Sequence, residues 1–263
     1  MWETLDALGW EIFERDADIV QWAAEAKEIV EKKLAQKDFP QKDLRCGGTW
    51  FAGVNFLGNS TSGKLETKNL QGKIIASIMS RFRESFDEWD SAQISICYPG
   101  YPKPMASEGV AAFNYRIKKC AAHVDGILPL GNNRRRFVRE HHAFIFGIPL
   151  SRFNRFASPL VIWEGSHHII LDTFHKIFSS LSSSEWPQLD VTFQYKEARK
   201  KVFATCPKKV IWVPLGGCFV LHRMCLHGIS PWAKNAQAEP CGRIMAYFRP
   251  KLLCEKNWIN DKI

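Results

Sequence analysis

The chain has no C-x-x-C pair, no apolar run long enough to cross a bilayer, and no repeat or low-complexity linker. Each absence excludes something. The eight cysteines, at positions 46, 97, 120, 206, 218, 225, 241 and 254, are scattered, so neither a zinc knuckle nor a thioredoxin-like site is expected. In a chain with an ample core, such cysteines read as reduced, mostly buried thiols in a reducing compartment. The most apolar window, residues 143–150, falls far short of the ~20 residues that a membrane helix needs. A signal peptide wants a basic start and then an apolar run, whereas this chain starts Met1-Trp2-Glu3 and soon adds Asp6, Glu11 and Glu14. The expectation is a soluble cytoplasmic protein with no membrane partner.

What is present is a large apolar and aromatic store. Hydrophobic residues make up 46% of the 263, with ten Trp and eighteen Phe, enough for a sizeable core. The net charge of +9 points to anionic partners: nucleic acid, a membrane surface or an acidic small molecule. Its densest cluster is Arg134-Arg135-Arg136, followed by Arg139. That cluster is either a solvated loop or a ligand contact.

The first third reads as helical. Apolar residues recur at helical spacing over 5–34 and again over 70–86, and a Gly- and Ser-rich stretch at 46–63 reads as a strand or two with turns. After Ser91 the pattern changes to short apolar or alternating runs at 93–98, 109–117, 142–149, 160–163, 210–213, 218–222 and 243–249. Many short strands between turn signals predict a sandwich, jelly roll or barrel. One helix interrupts them from His168 to about Ser180, and Glu197 to Lys201 reads as a charged surface segment. A single domain follows: a mainly helical layer (1–90), a β-core (91–250) and a C-terminal tail (251–263).

His123-Val124-Asp125 is the first motif that carries chemistry. On an extended strand, residues i and i+2 face the same way, so imidazole and carboxylate can converge on one metal. With a distant third His they complete the 2-His-1-carboxylate face of non-heme Fe(II) oxygenases. The tripeptide alone is weak, because 8 His and 27 acidic residues in 263 supply about one H-x-[D/E] by chance. Two later segments add weight: Leu226-His227-Gly228-Ile229-Ser230-Pro231 and the alternating strand Arg243 to Arg249. On that strand Arg243, Met245, Tyr247 and Arg249 share one face, and a buried arginine there can grip a carboxylate with two hydrogen bonds.

The order His123-x-Asp125, Trp163-Glu164-Gly165-Ser166-His167, Leu226 to Pro231, then Arg243 and Tyr247-Phe248-Arg249-Pro250 resembles the Fe(II)- and 2-oxoglutarate-dependent dioxygenases, and within them the phytanoyl-CoA dioxygenase-like branch. The resemblance covers residues 93–250. It implies a β-rich α+β fold, with a double-stranded β-helix (jelly roll, cupin-like) core and N-terminal helices packed on it. It also implies iron held by His123, Asp125 and His227, with 2-oxoglutarate and O2 as cosubstrates, and release of succinate and CO2. Arg243 would bind the far carboxylate of 2-oxoglutarate, and Gln93 is a candidate to contact cosubstrate or substrate. Sixteen residues separate His227 from Arg243, more than is usual in the branch, so Arg249 remains an alternative anchor. Trp163-Glu164 replaces the common Val-Pro, and Trp232 stands near the distal His where Asn is frequent.

Other residues have plainer readings. His227 is preferred to His222, which sits inside the preceding strand as a packed histidine. His141 and His142 face opposite ways, so one could line the pocket. His167 and His168 mark a helix start with Ser166 as N-cap. Arg134, Arg135 and Arg136 could lean over the pocket mouth, Tyr98 could belong to a substrate lid, and Trp232 could shape the pocket. The expected partner is a small, possibly anionic, organic molecule. The alternatives are a nucleic-acid demethylating oxygenase and a non-catalytic jelly-roll binding protein.

Overall fold

The computed structural model of the protein describes residues 2–105 and 108–260. In chain order its elements are α1 (Glu3–Leu8), β1 (Trp10–Phe13), α2 (Ala17–Ala35), β2 (Leu44–Arg45), β3 (Trp50–Gly53), α3 (Lys73–Phe82), β4 (Gln93–Cys97), α4 (Val110–Lys119), β5 (Ile127–Leu130) and β6 (Arg135–Val138). There follow β7 (Phe144–Pro149), β8 (Leu160–Trp163), α5 (Ser166–Phe178), α6 (Thr192–Thr205), β9 (Lys208–Ile211), β10 (Cys218–His222), β11 (His227–Ile229) and β12 (Arg243–Phe248). A seven-stranded sheet runs β1-β10-β7-β12-β4-β3-β2, a three-stranded sheet runs β11-β8-β9, and β5–β6 form a separate hairpin. Every pairing of strands is antiparallel.

Alternation along the central strands explains the layers. On β7, β10 and β12, Ile145, Phe219, Leu221, Met245 and Tyr247 pack with Leu160 and Ile162 of β8 and Ile211 of β9. The small sheet therefore covers one face of the large one. The other faces of these strands carry Phe144, Phe146, Val220, Ile244 and Phe248, which join the main core with Ile19, Trp22 and Ala26 of α2 and Ile78 and Phe82 of α3. All six residues of β12 are buried, as expected of a strand covered on both sides. The outer core is densely aromatic: Phe144 meets Phe82 and Phe86, while Trp89 and Trp22 meet Phe248. Each such ring contributes roughly 1.5–3 kcal/mol when fully buried.

The structure corrects several expectations. The N-terminal third is not simply a helical layer, since β1 forms one edge of the large sheet and β2–β3 form the other. The helical pattern over 5–34 is broken where Gly9 turns with positive φ to end α1 and Asp16 caps α2, its carboxylate accepting from the backbone of Asp18 and Ile19. Residues 109–117 form α4 rather than a strand, and Glu197 to Lys201 belong to α6. Gly165, not Ser166, occupies the cap position of α5. Of the expected tail, Trp258 and Ile259 pack into the core, and residues 261–263 lie outside the described residues. All eight cysteines are free, five of them buried. Among the described residues no helix is long and apolar enough to cross a membrane.

Gly147 shows how tightly neighbouring strands of the large sheet pack. It stands opposite Phe219 on β10 and Tyr247 on β12, and a Cβ there would lie 2.2 Å from the Phe219 ring. Gly147→Ala is expected to cost about 1–3 kcal/mol by overpacking, seen as a thermal midpoint several degrees lower by circular dichroism. An unchanged midpoint would show that the Phe219 ring moves freely.

Candidate metal centre

The site begins with a backbone pairing. β11 pairs with β8 through His227 and Ile162. On its other side His227 forms an isolated antiparallel bridge with His123. The two residues exchange both hydrogen bonds, His123 N to His227 O at 2.8 Å and His227 N to His123 O at 3.0 Å. Residues so opposed project their side chains to the same face, and the two imidazoles lie 4.7 Å apart between ring centres. His123 is thus held by a single bridge, not by a strand as the sequence suggested. Asp125 follows at i+2 as the chain turns, and Gly126, at φ 81°, completes the turn. A Cβ at Gly126 would lie 2.1 Å from the Glu140 carbonyl oxygen, so only glycine allows that close approach.

Both imidazoles are oriented in the same way. His123 Nδ1 lies 3.0 Å from the Ala121 carbonyl and His227 Nδ1 lies 2.9 Å from the Cys225 carbonyl. A carbonyl only accepts, so each Nδ1 carries the proton and each Nε2 is left with its lone pair. Those Nε2 atoms lie 3.2 Å (His123) and 3.7 Å (His227) from Asp125 Oδ1. The ligand atoms of all three residues fall within 4.8 Å of one another. Three lone pairs aimed at one small volume repel unless a cation sits among them. Burial would raise the Asp125 carboxyl, but its neighbours His123 and His227 and the Arg249 guanidinium outweigh it and hold it well below the ordinary carboxylate range, so Asp125 is ionised. Burial brings His227 down to about 4 against the pull of Asp125, so His227 is neutral at pH 7. Two neutral imidazoles and one carboxylate are the donor set that suits Fe(II).

The surroundings brace this set. Arg249 Nη1 lies 3.8 Å from Asp125 Oδ2. The Tyr195 hydroxyl of α6 accepts from Val124 N at 2.8 Å, between the two ligands. Ser166 Oγ accepts from Leu226 N at 2.9 Å, fixing the residue before His227. His123, Asp125 and His227 open onto a cavity of about 740 Å³, which is also lined by Trp50, Gln93, Tyr247 and Arg249.

No family model and no curated protein matches this sequence. The structure is similar to that of the non-heme alpha-ketoglutarate-dependent carbocyclase SnoK from nogalamycin biosynthesis, with a TM-score of 0.50 and 12% identity over 94% of this chain and 81% of that one. It is equally similar to the non-heme alpha-ketoglutarate-dependent epimerase SnoN from the same biosynthesis, with a TM-score of 0.50 and 13% identity over 94% and 78% of the two chains. The chain shares their fold.

Within this fold the sequence candidates separate. His123, Asp125, His227, Gln93, Arg134 and Arg136 all face the cavity. Arg135 projects from the other side of β6 and pairs with Asp190. Tyr98 packs instead against the main core, and Trp232 lies behind the cavity wall with Cys97 and Tyr101. Neither His141 nor His142 lines the cavity: His141 sits against Trp186 and Trp258, and His142 binds Glu140 and the Arg249 carbonyl. His222 is packed, its Nδ1 accepting from Met224 N at 3.0 Å. His167 and His168 lie 3.1 and 3.3 Å from carbonyls of α1. Arg243 is only 1% exposed and donates to the Tyr247 hydroxyl at 2.8 Å, while its Nε and Nη1 have no partner. Sequence reasoning missed Tyr115, Tyr195 and Arg199, which also line the cavity. The signal for the last two lay in the helical spacing of Tyr195, Ala198 and Val202, all buried on one face of α6.

Two outcomes follow. Gly228 lies against the bridge, and a Cβ there would come 2.1 Å from the Cys120 carbonyl oxygen. Gly228→Ala is therefore expected to weaken Fe(II) binding by roughly 10–100-fold in a calorimetric titration, with the fold retained by circular dichroism. Equal affinity would mean that the bridge does not set the ligands. The second outcome concerns acid. Burial holds His222 well below the ordinary imidazole range, as it does His227. Below about pH 6.5 the unfolded chain takes up protons that the fold refuses, so stability is present above that pH and lost as pH falls. For His227 the loss reaches about 3 kcal/mol near pH 4. The urea midpoint of the metal-free protein should be lower at pH 5 than at pH 7, and equal midpoints would contradict this assignment.

Proposed function

We propose that the protein is an Fe(II)- and 2-oxoglutarate-dependent oxygenase that oxidises a small organic substrate, and that its two facing sheets form the double-stranded β-helix of that class. The observation that carries the reading is the convergence of His123 Nε2, His227 Nε2 and Asp125 Oδ1 at the wall of a large cavity. Iron so held, with 2-oxoglutarate and O2, supplies an oxidant able to break a C–H bond as the cosubstrate becomes succinate and CO2. The protein's part is to bind and orient. His123, Asp125 and His227 are the residues that would hold the ion, at the wall of the cavity. Arg249 Nη1 faces the second oxygen of Asp125 at 3.8 Å, while its Nε is buried without a partner.

Arg243 fits the anchor of the distal carboxylate. It is a buried cation, and among the described residues no carboxylate pairs with it. Two of its nitrogens lack any partner. A buried charge left unpaired is costly, and a carboxylate reaching past Tyr247 would relieve it with a two-pronged hydrogen bond. Gln93, opposite Tyr247 on β4, is placed to contact cosubstrate or substrate. The cavity volume is of the size that encloses a metabolite.

Anaerobic addition of Fe(II) and 2-oxoglutarate should produce a weak visible absorption band absent with either alone, and its absence would sink the oxygenase reading. Arg243→Ala is expected to raise the 2-oxoglutarate concentration needed for half the band by about tenfold or more, the scale of a lost charge-assisted pair. Arg249→Ala should leave that requirement much less changed. Equal effects would place the anchor elsewhere.

A further inference from the structure

Away from the metal ligands, the same cavity carries a second cluster of charge. Arg134, Arg136 of β6 and Arg199 of α6 line one wall. The chain brings them together by joining β6 to the start of α6: Arg136 N donates to Thr192 Oγ1 at 2.7 Å, and Val191 N donates to the Arg136 carbonyl at 2.9 Å. Arg199 lies two turns further along α6. Its guanidinium sits over the rings of Tyr195 and Tyr115, at 4.7 and 5.5 Å, and donates to the Tyr115 hydroxyl at 2.9 Å. Its Nε is buried with no partner.

Nearby carboxylates are already committed. Glu108 pairs with Arg116, Asp190 with Arg135, Asp125 with Arg249, and Glu140 with His142. Among the described residues none pairs with Arg134, Arg136 or Arg199. The three cations also act on one another: burial, together with the charges of Arg199 and Arg134, pulls Arg136 below the ordinary arginine range. Crowding like charges in a half-buried wall costs free energy that a bound anion would return. One arginine satisfies a carboxylate through a single fork, whereas three guanidinium groups lining one cavity match the charge and oxygen count of a phosphate.

We infer that this wall binds a phosphate group, so that the substrate of the oxygenase is an organic phosphate monoester whose dianion lies among Arg134, Arg136 and Arg199. The inference rests on the oxygenase reading of the cavity. Tyr195 links the two ends of the site. Its ring lies under Arg199, and its hydroxyl holds Val124 between His123 and Asp125. A phosphate on the arginine wall therefore places the attached carbon skeleton toward the metal ligands, against Leu128 and Ile229 of the lining.

Inorganic phosphate is the probe, followed by 31P relaxation and calorimetry on protein loaded with Mn(II) or diamagnetic Zn(II), with 2-oxoglutarate present. Phosphate should bind, and its relaxation should be enhanced by Mn(II) and not by Zn(II). Arg136→Gln and Arg199→Gln should each weaken binding by tenfold or more. The exposed neighbour Arg139→Gln should leave binding unchanged, and acetate should bind far more weakly than phosphate. Phosphate affinity unaffected by Arg136→Gln and Arg199→Gln, or acetate binding as tightly as phosphate, would overturn the inference. If Mn(II) fails to bind while phosphate still depends on both arginines in metal-free protein, the phosphate site stands and the oxygenase reading falls.

Discussion

The reciprocal hydrogen-bonded pair between His123 and His227 is the constraint on which the site depends. It joins residues 104 positions apart, and it sets two imidazoles side by side before any metal is considered. Its weakness as a lone bridge is offset by what surrounds it. β8 holds His227 from the other side, Ser166 fixes Leu226, and Tyr195 fixes Val124. Gly228 lets the Cys120 carbonyl approach closely. Each of these contacts acts on backbone beside a ligand and not on the ligand's imidazole or carboxylate. The side chains are left to two short hydrogen bonds from Nδ1, which turn both Nε2 lone pairs inward. The repulsion among those lone pairs and Asp125 is borne by the fold, so the site is organised before an ion arrives.

The arginines divide by the same reasoning. Arg223, as buried as Arg243, donates to the carbonyls of Ala143, Asn257 and Trp258, and so holds the C-terminal segment to the core. Arg249 serves Asp125. Arg243 and the wall of Arg134, Arg136 and Arg199 keep donors or charge in reserve inside or beside the cavity. Structural arginines in this fold end on several carbonyls or on carboxylates; Arg136, with one long bond to the Ile127 carbonyl, and the others keep donors that a ligand can satisfy.

Much of this was legible in the sequence, and the rest was hidden for identifiable reasons. β8 and β10 coincide with the runs read at 160–163 and 218–222, because buried central strands are continuous apolar runs bounded by turns. The two faces of Arg243 to Phe248 separated as alternation predicts. The edge strands β1 and β2 escaped because they are four and two residues long and sit beside helical segments of stronger periodicity, whereas β3 falls in the stretch read at 46–63 as a strand or two with turns. α4 was misread because none of its residues is buried, so its apolar residues do not mark a core-facing stripe. The three residues that cluster at the cavity were readable as types at a spacing, whereas the partnering of arginines was not. Arg135 and Arg136 are neighbours in the chain, yet β6 sends one to Asp190 at the surface and the other to the cavity.

That division bears on what the positive charge is for. A protein that tracks a polyanionic strand gains by presenting uncompensated Lys and Arg outward, where each phosphate contact releases a counterion. Here several outward cations are paired: Lys176 with Asp172, Lys200 with Glu197, Arg81 with Asp6, and Arg135 with Asp190. The half-buried Arg136 and Arg199 turn toward the cavity and lack such partners. In a recess bounded by protein of low dielectric, that charge is screened less by salt and acts more strongly than it would on an open face. Such a distribution draws in and orients a small anion. It would be poorly used on a duplex, whose phosphates cannot reach the floor of the recess. The net charge of +9 alone could not choose between these partners; the positions of a few unpaired guanidinium groups favour the small one.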